Sequence, residues 1–332
     1  MSVVIVGAGA LGMLYGGLLA AAGVQVVFWT RTSGQAELLR KQGLMIESAD
    51  GGAATTISPD KFAARSLEER GMTLGGDPEW VFLTVKQRHI DDKLLDAVRN
   101  LMGTETKIVA FQNGVGHIDK LRQVFPGLRV YAAITTEGAK RTSPRTVVRA
   151  GLGETKIGIP KGPAMHEADH SDVELDSEAE KSGESLIMLL AKAGFPAFLS
   201  NDIDKDIYRK LLINAVINPL TALLRIPNGE LLAAKQREEL MLMLCREGEL
   251  VYRTYGIPYD PDMFEVIASV CRSTSGNLSS MLKDVLEGAP TEIDYINGRL
   301  VEMARAANVQ IPVHETVWRL VRALPLSGDI KL

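Results

Sequence analysis

Val3-Val4-Ile5-Val6-Gly7-Ala8-Gly9-Ala10-Leu11-Gly12 decides how the first half of this chain folds. Four consecutive apolar residues, all β-branched, have the composition of a short strand buried on both faces of a parallel sheet. The glycines follow at once in the spacing G-x-G-x-x-G. The first allows a tight turn, the second lets a pyrophosphate approach the backbone, and the third lets a helix pack close to the strand with its N-terminus facing the phosphates. Such a fingerprint on its own also suits a turn that serves packing alone. Here it lies between a strand and a small-residue helix, and a second strand, Val24–Trp29, follows at the distance a dinucleotide-binding βαβ unit requires.

The run from Val3 to Trp29 contains no charged residue and is long enough to mimic a membrane span or a signal peptide. No basic segment precedes it, and Gly7, Gly9, Gly12, Gly16, Gly17 and Gly23 divide it into strand, turn, helix and strand, so neither is expected. A length of 332 residues exceeds the usual single core and suggests two domains. With 37 basic against 41 acidic side chains the formal charge is −4, which supplies no footprint for nucleic acid or an anionic membrane. Any anion must be held locally. The two cysteines, Cys245 and Cys271, form neither a disulfide framework nor a metal spacing, which suits a reducing, cytoplasmic setting. A homodimer is compatible with this composition.

A second stretch carries chemistry. Asn201–Leu224, NDIDKDIYRKLLINAVINPLTALL, is long, largely apolar and acidic at its start, yet it holds Lys210, Asn214 and Asn218 at four-residue intervals. On a helix those three share one face. Each needs a partner or a ligand, because an unpaired buried polar group costs roughly 1–3 kcal/mol and a charge more. Pro219 is expected to bend the helix just beyond them. The row reads as the wall of a pocket or as a buried polar network between helices.

Between these stretches the sheet pattern continues. The end of the second strand, Trp29-Thr30-Arg31-Thr32-Ser33, lacks the acidic residue that takes ribose hydroxyls in NAD sites, and Arg31 can grip a 2′-phosphate, so NADP(H) is expected. The strands Trp80–Val85 and Ile108–Phe111 deliver Lys86 and Asn113 to the sheet edge where ligands gather. An ordinary surface lysine and a simple Asn-Gly turn are the bland alternatives. Leu44–Ser58 reads as a hairpin turning at Asp50-Gly51-Gly52, Val130–Ala139 as a continuation of the sheet, and Thr146–Ile159 as extended edge structure. From Lys161 to Ser185 eight acidic residues and two lysines describe a solvated insertion, in which His166 and His170 are weak metal candidates. Beyond residue 200 the pattern is helical throughout, with helices expected at Glu230–Tyr255, Pro261–Ser269, Leu278–Glu287, Thr291–Ala307 and Glu315–Leu324. Gly256 and Asn308 fit helix ends, and Pro258 and Pro312 fall where helices have stopped. The expected architecture is an α/β, Rossmann-type doubly wound domain over 1–200 followed by an all-α domain over 201–332.

GAGALG at 7–12, QNG at 112–114, KLLINAVINPLTAL at 210–223 and SSMLKD followed by EGAPTEIDYING within 279–298 together resemble the ketopantoate reductase (2-dehydropantoate 2-reductase) family, in order and spacing from residue 1 to about 325. The resemblance implies an NADPH-dependent reduction of ketopantoate to (R)-pantoate in pantothenate biosynthesis, and a helical domain like that of 6-phosphogluconate dehydrogenase. It implies that Lys210 donates the proton with Glu292 beside it, and that Asn113, Asn214, Asn218, Asn228, Asn277 and Ser280 contact the substrate. Gly7, Ala8, Gly9, Ala10, Leu11, Gly12, Arg31, Lys86, Asn113, Glu292 and, through its backbone, Ala139 would contact the cofactor. No metal is called for, since the lysine performs the electrophilic role. The chain departs from the family pattern Val-Lys-x-x-Gln at one place, where Val85-Lys86 leads to His89 instead of glutamine. A reductase of another 2-keto acid and a nucleotide-sensing protein on the same scaffold are the competing readings; the pairing of Lys210 with Glu292 speaks against the latter.

Overall fold

The structure, a computed structural model, describes residues 1–67, 69, 76–162 and 177–325. The candidate metal pair His166 and His170 and most of the acidic segment lie outside the described residues. The chain divides into two compact units, one of Met1–Gln112, His117–Pro160 and Asp172–Ile203, the other of Asn113–Gly116, Lys161–Ser171 and Asp204–Leu332.

Twelve strands build the first unit: β1 (Ser2–Val6), β2 (Gln25–Thr30), β3 (Leu44–Ser48), β4 (Thr55–Ile57), β5 (Phe62–Ser66), β6 (Trp80–Leu83), β7 (Lys107–Ala110), β8 (Val130–Thr135), β9 (Gly138–Ser143), β10 (Thr146–Gly151), β11 (Thr155–Gly158) and β12 (Ala197–Leu199). Its helices are α1 (Ala10–Ala21), α2 (Ser33–Gln42), α3 (Asp92–Arg99), α4 (His117–Val124) and α5 (Ser177–Lys192). Eight strands form one sheet in the order β12-β11-β8-β7-β6-β1-β2-β5, parallel except where β11 meets β8. The remaining four form a second sheet, β4-β3-β10-β9.

Helix α1 is apolar on every side because it is covered on both. A Cβ added to Gly16 would lie 2.4 Å from the Phe28 ring of the large sheet, and one added to Gly17 would lie 2.4 Å from Leu44 of the small one. Adjacent glycines therefore let a single helix serve two sheets. The hairpin expected at 44–58 is present as β3 and β4. Two expectations are corrected. Gly138 and Ala139 do not continue the large sheet, because the chain leaves it at Glu137, whose carboxylate is gripped by Arg149 of β10 at 2.5 and 2.9 Å. Strand β10 is no edge strand either, since it runs parallel to β3 on one side and antiparallel to β9 on the other.

The second unit is helical: α6 (Ile203–Leu224), α7 (Lys235–Thr254), α8 (Met263–Ser273), α9 (Ser280–Leu286), α10 (Asn297–Ala306) and α11 (Pro312–Arg322), with short 3₁₀ turns at Asn228–Leu232 and Ile293–Tyr295. Gly256 and Asn308 adopt positive φ past α7 and α10, as helix-terminating residues do. Pro312 falls after α10 has stopped. It opens α11, where its missing N–H would have had no intrahelical partner. No helix among the described residues is long and apolar enough to cross a membrane.

Helix α6 is central to this unit and runs through Pro219. Proline cannot donate to the carbonyl of Ala215, four residues earlier. That carbonyl instead accepts a 2.8 Å hydrogen bond from Asn297 Nδ2, at the start of α10. The same amide nitrogen donates to His314 Nδ1 at 2.9 Å, and His314 Nε2 donates to the Leu244 carbonyl at 2.9 Å. Burial holds the His314 pKa down at about 4, so the ring is neutral and bridges α7, α10 and α11.

Candidate active site

The nucleotide end is built by the turn after β1. Gly7 has φ +107°, a conformation side chains disfavour, and its carbonyl accepts from Thr84 Oγ1 at 2.7 Å. A Cβ at Gly12 would lie 2.0 Å from that carbonyl, so only glycine lets α1 approach so closely. Gly9, the N-cap of α1, supplies no side-chain cap, and a Cβ there would meet nothing within 4 Å. An open space thus fronts the first-turn N–H groups of a helix with no acidic residue in that turn. Uncapped amides at the positive end of a helix, approached by bare backbone, fit a dinucleotide pyrophosphate.

The neighbouring strand ends supply positive charge. In the order β6-β1-β2 the glycine turn has Lys86 beyond one neighbour and Arg31 beyond the other. Arg31 is exposed and Lys86 partly so. Ala139 is the second residue of β9, paired with Arg149 of β10. Sequence reading missed the side chains that set this edge. Gln112 Nε2 donates to the carbonyls of Leu83 and Val85 at 2.9 and 2.8 Å, fastening the exit from β6. Gln87 is buried, 2.6 Å from His117 Nδ1. The ring at 117 is held neutral by desolvation, its pKa about 4, so it can accept from the Gln87 amide. The glutamine that anchors this turn therefore stands at 87 and not at 89.

In the helical unit, Lys210, Asn214 and Asn218 occupy successive turns of α6. Part of the Lys210 residue is accessible, yet its ammonium is desolvated, which pulls its pKa from 10.5 down to about 8 while the nearby Glu292 carboxylate pushes it up. Glu292 is buried and precedes the 3₁₀ turn at Ile293–Tyr295. Asn214 is partly exposed and Asn218 is buried. Asn228 is buried, and its Nδ2 donates to Thr274 Oγ1 at 3.0 Å while its Oδ1 finds no partner. Its N–H donates to the Asn277 carbonyl at 2.9 Å, which ties the 228 turn to the segment before α9. Asn277 and Ser280 are exposed. The buried serine is its neighbour Ser279, which caps α9 through the Leu282 N–H and accepts from Thr221 of α6 at 2.7 Å. The Asn113–Gly116 loop belongs to this unit: a Cβ at Gly114 would lie 2.2 Å from the Tyr295 carbonyl, and Val115 packs into the helical core. Asn113, Glu292 and Lys210 are thus carried by one body.

A glycine turn that fits a dinucleotide and a helix that carries a lysine of lowered pKa with a carboxylate nearby define a dinucleotide-binding oxidoreductase. The chain belongs to the ketopantoate reductase family. Residues 3–162 match the family model for ketopantoate reductase PanE/ApbA, and residues 202–325 match the model of its C-terminal portion. Among curated proteins it is 31% identical to a 2-dehydropantoate 2-reductase of Pyrococcus horikoshii, over 99% of each chain. Among solved structures it resembles a PanE/ApbA family ketopantoate reductase from Ralstonia eutropha, with a TM-score of 0.81, 25% identity and 98% of each chain covered. The fold is shared with a ternary structure of D-mandelate dehydrogenase with NADH and anilino(oxo)acetate, at TM-score 0.83 and 23% identity over 97% of this chain and 98% of that one.

Proposed function

We propose that this chain reduces 2-dehydropantoate to (R)-pantoate with NADPH, and that Lys210 is the proton donor. A bound nicotinamide supplies the hydride to C2 of the keto acid. Negative charge then builds on the ketone oxygen, and an ammonium next to it stabilises that charge and provides the proton. The observation that carries this reading is the state of Lys210. A pKa near 8 leaves it mostly protonated at neutral pH and yet ready to give up its proton, which an ordinary surface lysine is not. Glu292 keeps the ammonium charged against desolvation. Asn214, Asn218 and Asn228 offer neutral donors and acceptors that suit a carboxylate and a hydroxyl. Ser280 and the Asn277 turn take the outer part of the substrate, and Asn113 its reacting end. On the nucleotide side Ala8, Ala10 and Leu11 shape the pyrophosphate turn, Arg31 and Lys86 hold the 2′-phosphate, and the Ala139 backbone takes the remaining contact.

The test is a steady-state assay that follows NADPH absorbance with 2-dehydropantoate and a panel of other 2-keto acids. A kcat/KM for 2-dehydropantoate at least tenfold above the rest, lost in Lys210→Ala with NADPH binding retained, is expected. A higher kcat/KM for another keto acid overturns the substrate assignment, and undiminished turnover in Lys210→Ala removes that residue from the chemistry.

A further inference from the structure

The turn that follows β6 has its own chemistry. After β6, Lys86 opens a single 3₁₀ turn, Gln87–His89, closed by the His89 N–H donating to the Lys86 carbonyl at 2.9 Å. Three residues per turn send consecutive side chains about 120° apart. With Gln87 fixed inward on His117, Arg88 and His89 are directed outward, and both are partly exposed. His89 lies within electrostatic reach of four charged groups: Arg88 and Lys86 on its own turn, Arg31 beyond β2, and Asp91 at the N-cap of α3. The lone carboxylate among them is engaged, since Asp91 accepts the Leu94 N–H at 2.8 Å. Three cations from the ends of two strands that flank the glycine turn therefore act electrostatically on one imidazole.

We propose that His89 is a specificity residue for the adenosine 2′-phosphate, a proton-dependent fourth member of the cationic cluster of Arg31, Lys86 and Arg88. The proposal rests on the NADPH reading above. In the free protein partial burial and the three cations disfavour the imidazolium and hold the His89 pKa below its ordinary value, with Asp91 opposing. A phosphate dianion placed among the same groups reverses the balance and favours protonation. Binding of a 2′-phosphate is then linked to uptake of a proton by His89. By reciprocity, affinity for the 2′-phosphate rises as pH falls through the interval between the raised bound-state pKa and the depressed free-state one, and levels off below it. A glutamine at this position could not do this.

The experiment is calorimetric titration of the full chain with adenosine 2′,5′-bisphosphate and with 5′-AMP between about pH 5.5 and 8. The readout is the ratio of the two Kd values, compared among the wild type, His89→Gln and His89→Lys. The ligand's own phosphate titrates near pH 6 and does so equally for all three proteins. On top of that common trend, the wild-type preference for the bisphosphate should rise about fivefold from the alkaline to the acid end, as one added charge near a dianion gives. His89→Gln should lack this rise, and His89→Lys should hold the high preference at every pH. Proton uptake, measured in buffers of different ionisation enthalpy, should accompany bisphosphate binding to the wild type beyond that seen with His89→Gln. Identical pH dependence in the wild type and His89→Gln, with a preference for the bisphosphate retained, overturns the role of His89 alone. A wild type that shows no such preference at any pH overturns the NADPH reading and this proposal with it.

Discussion

Replacing Asn297 by alanine removes the donor that Pro219 made necessary. Two buried acceptors lose their partner together: the Ala215 carbonyl, left without its helical donor by the proline, and His314 Nδ1, held neutral at the centre of the helical unit. Each stranded acceptor costs roughly 1–3 kcal/mol, so Asn297→Ala should destabilise by about 2–6 kcal/mol. The origin of that cost can be separated from simple loss of packing. In a Pro219→Ala background residue 219 again has an N–H that reaches Ala215, and only the histidine is stranded. The penalty for Asn297→Ala should therefore shrink by about 1–3 kcal/mol when both substitutions are present. Effects of Pro219→Ala on the unfolded chain occur in both backgrounds and cancel in the cycle. Urea unfolding followed by far-UV circular dichroism, with m-values compared across the four proteins, measures the coupling. Additivity within about 0.5 kcal/mol would refute the link between the proline and the asparagine.

Other outcomes follow from the same geometry. With the Lys210 pKa near 8, kcat/KM should hold at neutral pH and fall as pH rises through about 8, because the deprotonated amine cannot donate; Glu292→Gln, which removes the group that raises that pKa, should move the fall to lower pH. A stopped-flow pH profile that shows no alkaline fall would contradict this. Arg31→Ala should weaken NADPH by about 1–3 kcal/mol with little effect on NADH, as loss of a charge-assisted bond does, and an unchanged ratio of the two affinities speaks against a 2′-phosphate there. Gly12→Ala should abolish dinucleotide binding or soluble expression, since its Cβ would lie 2.0 Å from the Gly7 carbonyl; normal binding in a titration would show that the turn yields. His117 and His314, with folded pKa values of about 4 against an ordinary 6.5, should cost the fold stability as pH falls from about 6.5 towards 4, each by up to about 3 kcal/mol, because the unfolded chain takes up their protons first. Chemical unfolding at a series of pH values checks the sign, and His314→Gln should flatten the slope.

Features set by short-range pattern were legible in the sequence. The glycine turn, the hairpin at 44–58 and the four-residue spacing of Lys210, Asn214 and Asn218 all depend on residues within a turn or two of one another. The second sheet was not legible, because β10 pairs with β3 across about a hundred residues and neither strand carries a mark of its partner. Composition suggested an edge strand where one neighbour, β9, is adjacent in the chain and the other, β3, is supplied from far away. The bend at Glu137 depends on Arg149, twelve residues later, so the local β pattern ran past it. Pro312 shows how one residue carries opposite meanings: proline stops a helix from within and starts one at its first position, and Glu247, which accepts the N–H groups of Val313 and His314 at 2.9 Å, decides between them. Near the candidate site the same limit put weight on position 89, whereas the buried glutamine two residues earlier finds its partner at His117.

The polar groups on and around α6 divide by where their hydrogen bonds go, and the division separates scaffold from ligand. Ala215, Thr221, Ser279, the Asn297 Nδ2 and His314 bond to one another within the helical unit and hold α6, α9, α10 and α11 together around a proline, while the Asn297 Oδ1 has no partner among the described residues. The Asn228 Oδ1 finds no partner among the described residues, and Asn228 is more than nine-tenths buried, as is Asn218. A protein that kept the Asn228 carbonyl oxygen only for structure would bear its desolvation without return. Asn214, Asn218 and Asn228 lie on or close to the helix whose lysine has been brought to a pKa near 8 with a carboxylate beside it. A small molecule with one anionic end, one hydroxyl and a carbonyl to protonate would engage every member of the set at once. That is the composition of a hydroxylated 2-keto acid, and the most direct check is difference spectroscopy of Asn218→Ala and Asn228→Ala. Each should raise the Kd for the keto acid about tenfold, as loss of one buried hydrogen bond does, while dinucleotide affinity stays the same.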